Sequence, residues 1–175
     1  LSRFALLHTD GAARRGQLTT RHGTIETPVF MPVGTAASVK GLTTHQLLNL
    51  APHPASLLPE IILCNTYHLM LRPGVDLLEN LGGVHPFMNW ERPVITDSGG
   101  FQIFSLAAIR KIREEGVEFR SHIDGSPHFL SPEGAVEIQN RMGVDIAMAL
   151  DECPAAGLSH DEVEKSMELT HRWAD

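Results

Sequence analysis

The sequence predicts an α/β protein organised on a parallel sheet, and three observations carry that expectation. Short apolar runs alternate four times with capped, amphipathic segments between Val29 and Asp175, the pattern of strands joined by crossover helices. Polar residues fall at the ends of these runs, at Asn65, Asp97 and Asp151, on the edge where parallel sheets keep their ligand sites. No G-x-G-x-x-G follows the first run, which disfavours a dinucleotide-binding sheet. A closed (β/α) barrel needs eight units and typically ~250 residues. With four units in 175 residues, the expectation is about half of a TIM-type barrel.

A small antiparallel layer is expected first, over residues 1–28. Phe4-Ala5-Leu6-Leu7 reads as a strand, and Ala12 to Gly16 as a turn with two arginines. Gly16 to Thr20 and Gly23 to Thr27 read as strands around a turn at Arg21-His22-Gly23. The barrel units are expected over residues 29–175. Val29 to Val33 is the first barrel strand, ended by Gly34, and Thr43 with Gln46 forms a capping box for the first helix. Ile61 to Cys64 is the second strand, preceded by a Pro-rich linker over residues 51–60. Val75 to Asn80 is the second helix, closed by Gly82-Gly83. Val94-Ile95 is the third strand. Residues 103–130 form an inserted region. In it Arg110-Lys111-Ile112-Arg113 reads as a solvated charged helix, with a phosphate contact as the alternative, and Val117 to Phe129 as a hairpin turning at Asp124-Gly125. Ser131 and Pro132 open the third helix. Ile146 to Leu150 is the fourth strand, and Ser159 with Glu162 caps a fourth helix that runs to the last residue.

Composition narrows the function classes. Hydrophobic residues make up 42% and charged residues 20%, as in an ordinary globular domain. No apolar run approaches the ~20 residues of a spanning helix, so no membrane partner is expected. The first residue is not Met, and the start reads as trimmed or incomplete. Two cysteines far apart, Cys64 and Cys153, argue against a disulfide scaffold and a self-contained zinc site, so no metal ligand is assigned. A reducing, cytoplasmic setting is the default. The net charge is -7, with five Lys/Arg against two Asp/Glu in residues 1–50 and a strong acidic excess beyond. That balance opposes non-specific nucleic-acid binding and leaves room for a specific RNA contact.

The chemistry centres on Thr96-Asp97-Ser98-Gly99-Gly100-Phe101-Gln102. Two glycines permit close approach to the backbone, and Phe101 offers a flat stacking surface. Asp97 and Asp151 should face one mouth from neighbouring strand ends. They suit acid/base work, or a nucleophile and acid at a glycosidic bond. Alternatively a carboxylate accepts two N–H donors side by side, and guanine presents that donor pair on its Watson–Crick edge. Gln102 would then donate to a carbonyl oxygen. The plain reading is that each Asp caps a helix or pairs with an Arg. His68 reads as a structural histidine, and Cys153 as a packed thiol.

Four motifs in order carry a resemblance: Thr27-Pro28-Val29-Phe30-Met31-Pro32-Val33-Gly34; Asn65-Thr66-Tyr67-His68-Leu69 with Arg72-Pro73-Gly74; Thr96 to Gln102; and Asp151-Glu152-Cys153. Together they resemble the tRNA-guanine transglycosylases, or queuine tRNA-ribosyltransferases, of the bacterial type. The resemblance implies a pentosyltransferase on a (β/α) barrel. It would replace guanine at the wobble position of GUN-anticodon tRNAs by a 7-deazaguanine, in queuosine biosynthesis. It implies a tRNA anticodon loop and a 7-deazaguanine base as partners, and a homodimer in the full-length form. Asp97 matches the family's proton-acceptor aspartate. Asp97, Ser98, Gly99, Gly100 and Phe101 match its base-binding loop, with Gln102 beside them, and Asp151 matches the carboxylate that reads the base edge. Zinc is implied for the full-length family protein. Its ligands, three cysteines and a histidine, and the nucleophilic aspartate are expected outside these residues. The chain therefore reads as an N-terminal half, inactive alone. Two rival functions stand beside this one. One is a non-catalytic partner subunit of a transglycosylase, and the other a nucleoside- or glycoside-processing barrel using Asp97 and Asp151.

Overall fold

A computed structural model describes residues 3–49, 58–106 and 110–175. Its architecture is mixed α/β with three small sheets and, among the described residues, no closed barrel. The first sheet is antiparallel, with strands β1 (Arg3–Asp10), β2 (Ala13–Thr20) and β3 (Gly23–Thr27) in that order. Arg14 and Arg15 lie within β2, not in the expected turn. The chain reverses at Gly11, whose φ of +56° suits glycine. That turn lets β1 run longer than its apolar core, pairing Arg3 with Thr19 and Asp10 with Ala13. Ile25 is the buried residue of β3.

The parallel sheet is the frame of the molecule. Strands β4 (Ile62–Cys64), β5 (Val94–Thr96) and β9 (Ile146–Ala147) pair in the order β4-β5-β9. The expected first barrel strand, Val29 to Val33, is reduced to one parallel bridge between Val33 and Leu63. Leu63 N donates to Pro32 O (3.0 Å), and Gly34 N to Leu63 O (2.7 Å). The nitrogen of Pro32 faces the same side as that of Gly34 but carries no hydrogen, so the ladder cannot extend upstream. β9 is also shorter than the expected run to Leu150. The linker over residues 51–60 falls mostly outside the described residues. Its last two residues are anchored: Pro59 O accepts from Arg92 (2.7 Å), and the Glu60 carboxylate from Glu26 N (2.6 Å).

Helices connect the strands. α1 (Thr44–Leu48) starts with the Thr43–Gln46 capping box. α2 (Thr66–Leu69) begins at once after β4, continues through a wide turn over Met70–Gly74, and gives way to α3 (Val75–Asn80). α4 (Val84–Met88) carries Pro86 in its first turn, where the missing N–H costs no helical bond. α5 (Gly100–Leu106) follows β5, α6 (Pro132–Met142) starts at the Ser131 cap, and α7 (His160–Ala174) at the Ser159–Glu162 capping box. One core packs Ile62, Cys64, Leu69, Leu78, Val84, Trp90, Val94 and Met142 behind the sheet.

The inserted region departs from expectation. Arg110–Arg113 is strand β6, not a helix. It pairs with β7 (Gly116–Arg120), which pairs with β8 (Pro127–Leu130), all antiparallel. The reason lies across the strands: Lys111 and Arg113 share a face with Glu118, and Arg113 bonds it at 2.8 Å. The other face buries Val117, Phe119 and Leu130 with Tyr67, Ile103, Leu150 and Trp173 in a second core. Trp173 also donates from its indole to Glu114 O (2.6 Å), docking α7 on the β6–β7 turn.

Candidate active site

Asp97 is the first residue beyond β5, and its backbone N–H still bonds Cys64 O in the neighbouring strand (3.2 Å). Its carboxylate therefore starts from a fixed point at the C-terminal edge. Oδ1 accepts from Thr66 N (2.9 Å), the first N–H of α2. Oδ2 accepts from the Asn65 amide and from Gln102 Nε2 (2.9 Å). Thr66 Oγ1 donates back to Asp97 O (2.5 Å). Three donors from two elements hold one carboxylate in a single rotamer, which is the preorganisation a proton-transfer group needs.

Gln102 is itself fixed by this arrangement. One N–H of its NH2 is held by Asp97, a carboxylate that only accepts. The carbonyl Oε1 is buried and has no partner among the described residues. Gln102 thus offers a buried acceptor at Oε1 beside the second N–H of its amide, the donor expected from the sequence.

Asp151 stands across Ser98 from this cluster. Ser98 Oγ donates to Asp151 Oδ1 (2.6 Å) and accepts from Gly100 N (3.1 Å). Cys153 Sγ donates to Asp151 Oδ2 (3.1 Å). Burial, then the adjoining Asp151 and Glu152 carboxylates, pushes the Cys153 thiol up to about 12, so it is protonated at neutral pH and serves as a donor. Burial likewise pushes the Cys64 thiol to about 12.

The two glycines answer to neighbours within the fold. A Cβ at Gly100 would lie 2.5 Å from Asp151 O and 2.7 Å from Asp151 Oδ1. A Cβ at Gly99, where φ is +88°, would lie 3.3 Å from Tyr67 N. What approaches this backbone closely is Asp151 and the start of α2. Phe101, on the first turn of α5, leaves 60% of its surface exposed and has Phe104 6.5 Å away. The structure thus gathers Asp97, Ser98, Gly99, Gly100, Gln102 and Asp151 at one strand edge, with Phe101 at its rim.

His68 sits beside this group, half-buried, with its ring edge-on to Tyr67 and His122. Burial, and then the neighbouring His122, holds its pKa below the usual imidazole value, which keeps it neutral. Tyr67 is fully buried, and its hydroxyl meets His122 Nδ1 at 2.9 Å. That pair escaped sequence reasoning, because Tyr67 and His122 come together only through the inserted sheet.

Carboxylates, a hydroxyl and a Gly-Gly turn collected at the C-terminal ends of parallel strands define the class: an α/β protein with an enzyme-type ligand site. The comparisons make it specific. The family model described as Queuine tRNA-ribosyltransferase matches residues 9–175, and the chain belongs to that family. The chain is 57% identical over 165 residues to a queuine tRNA-ribosyltransferase of Fusobacterium nucleatum, covering 94% of this chain and 42% of that protein. It is 58% identical over 163 residues to one of Thermoanaerobacter (93% and 42%), and 52% identical over 172 residues to one of Rhizobium meliloti (98% and 44%). The chain spans less than half the length of these curated relatives. The fold of this family is of the TIM-barrel type.

The zinc set implied by the resemblance does not fit these residues. Cys64 is buried in the core and Cys153 is bound to Asp151. Among the described residues the two clusters of metal-ligating type, His22–His85–Asp145 and His160–Asp161–Glu164, contain no cysteine. No helix among the described residues is long and apolar enough to cross a membrane.

Proposed function

We propose that this chain is the base-recognition part of a tRNA-guanine transglycosylase. It would exchange guanine at the wobble position of GUN-anticodon tRNAs for a 7-deazaguanine, in the queuosine pathway. The observation that carries the reading is the pairing of Asp97 and Asp151 on one edge, within a chain whose family is a tRNA-ribosyltransferase. The segment Pro32–Thr35, β4, β5 and β9 would be four successive strand positions of a TIM-type half-barrel, which supports placing both carboxylates at one mouth.

The target base must leave the anticodon loop to reach such a site. Phe101 supplies an exposed ring for its face. Asp151 accepts the guanine N1–H and N2–H pair, exchanging its bonds from Ser98 and Cys153 for those of the base. Such an exchange leaves the carboxylate satisfied in both states. The buried Gln102 Oε1 takes a further N–H of the ligand. Asp97, held by Asn65, Thr66 and Gln102, moves the proton that the leaving base gains and the arriving base loses. Displacement at the ribose carbon requires a carboxylate nucleophile. The resemblance assigns that role to an aspartate other than Asp97 or Asp151. The 175-residue chain by itself would therefore hold the base without exchanging it. The whole enzyme would be a cytoplasmic, homodimeric protein acting on the anticodon loop.

The test is exchange of labelled guanine into an anticodon stem-loop, run beside binding of free 7-aminomethyl-7-deazaguanine. Binding without exchange is the expected result for the 175-residue chain. Turnover by that chain would overturn the division of roles.

A further inference from the structure

We propose that His22, His85 and Asp145 form a binding site for a zinc-class divalent metal ion at the opposite end of the parallel sheet from Asp97. The three residues come from separate elements: the β2–β3 turn, the first turn of α4, and the residue that precedes β9. His22 Nδ1 lies 3.0 Å from Asp145 Oδ1, and His85 Nε2 lies 3.1 Å from Asp145 Oδ2. The three ligand atoms lie within 4.8 Å of one another. Metal–ligand bonds of ~2.0–2.1 Å at tetrahedral angles place donor atoms roughly 3.3 Å apart. The two His–Asp separations are within a few tenths of an ångström of that spacing, and binding would turn the stacked rings so that both nitrogens point at one ion.

The donor set is of the right chemistry. Two imidazoles and a carboxylate suit zinc, cobalt or nickel, and none is a thiolate. The electrostatics suit a dication, which carries more charge to the buried carboxylate than a single shared proton does. Asp145 is completely buried in its side chain, and the two imidazole rings stack at 3.7 Å with 21° between their planes. Charging both rings would set two imidazolium ions face to face. A dication offsets the carboxylate while both rings stay neutral. The carboxylate is also aimed by the backbone, since Val94 N donates to Oδ2 (3.0 Å) and His22 N to Oδ1 (3.2 Å). Such outer hydrogen bonds orient a ligand and raise affinity. His22 keeps 34% of its side chain exposed, leaving a path for the ion and for a water as fourth ligand. Arg21, next to His22 in the chain, is turned to Val144 O at 3.3 Å. A metal here would tie the N-terminal layer to the base of the sheet.

The experiment titrates cobalt(II) into the 175-residue chain, reading its visible spectrum, with zinc competition by calorimetry. One equivalent with a four-coordinate spectrum is expected. His22→Gln and His85→Gln should each weaken binding by roughly tenfold or more. A His160→Gln variant should leave it unchanged, which separates the site from the exposed His160–Asp161–Glu164 cluster. A second measurement needs no substitution: cobalt should shield His22 and His85 from diethylpyrocarbonate. Absence of saturable uptake, uptake that survives both His22→Gln and His85→Gln, or unshielded rings would overturn the proposal.

Discussion

Replacing Asp145 by Asn should be among the most damaging near-isosteric changes in this protein. The carboxylate accepts four bonds, from Val94 N, His85 Nε2, His22 Nδ1 and His22 N, at 3.0–3.2 Å. An amide of the same shape turns one of its two accepting atoms into a donor. In one orientation the NH2 faces Val94 N–H; in the other it faces His22 N–H. Either way a backbone donor loses its partner, at a cost of about 1–3 kcal/mol. The bonds to the two rings also lose their charge, about 1 kcal/mol each. His22 is a third exposed, so its share sits at the low end. The expected loss is about 3–4 kcal/mol, a large part of the ~5–15 kcal/mol that holds a domain folded. Urea unfolding read by the fluorescence of Trp90 and Trp173, with chelator present, measures it. The pH dependence supplies a second readout. Burial pushes the Asp145 carboxyl up, but its bonds from His85, Val94 and His22 outweigh burial and hold it well below the usual carboxylate range. Its stabilisation is therefore complete above the unfolded value of about 3.9 and is lost as pH falls below that. The deficit of Asp145→Asn should shrink steadily in that acid range. A deficit under about 1 kcal/mol at neutral pH, or one that does not shrink in acid, would refute this reasoning.

Further outcomes follow from the same contacts. Gly100→Ala would place a methyl 2.5 Å from Asp151 O. It should cost about 1–3 kcal/mol by overpacking and abolish base binding, read by thermal unfolding and calorimetry. Trp173→Ala removes a buried ring and its bond to Glu114 O. It should cost about 3–5 kcal/mol and expose the amides of β6 and β7 to hydrogen exchange.

Helix starts were the most legible features of the sequence, because caps act within four residues. Thr43–Gln46, Ser131 and Ser159–Glu162 all form the bonds their spacing implies. The position of Asp97 just beyond β5 was legible for a similar reason, since a polar residue after a buried run has few places to go, whereas Asp151 lies four residues past β9 and meets this group through Ser98. Short elements were not. α2 is four residues of Thr, Tyr, His and Leu, too brief to show a helical period. The Arg110–Arg113 strand is specified by Glu118 across the ladder, not by its own residues. The Asp145 cluster joins residues 60 and 123 positions apart, and no local pattern announces it. The occupancy of the two site carboxylates was hidden as well. Asn65, Thr66 and Gln102 hold Asp97, while Ser98 and Cys153 hold Asp151. Each of those bonds depends on which strands become neighbours.

The most direct test of the proposed site is calorimetric titration of the 175-residue chain with 7-aminomethyl-7-deazaguanine, beside Asp151→Asn. An amide presents one acceptor and one donor where the base requires two acceptors. The account predicts saturable binding by the unsubstituted chain and a loss of roughly 10- to 100-fold in the variant, with folding retained. Equal affinity in the two proteins, or no binding by the folded parent chain, would contradict it.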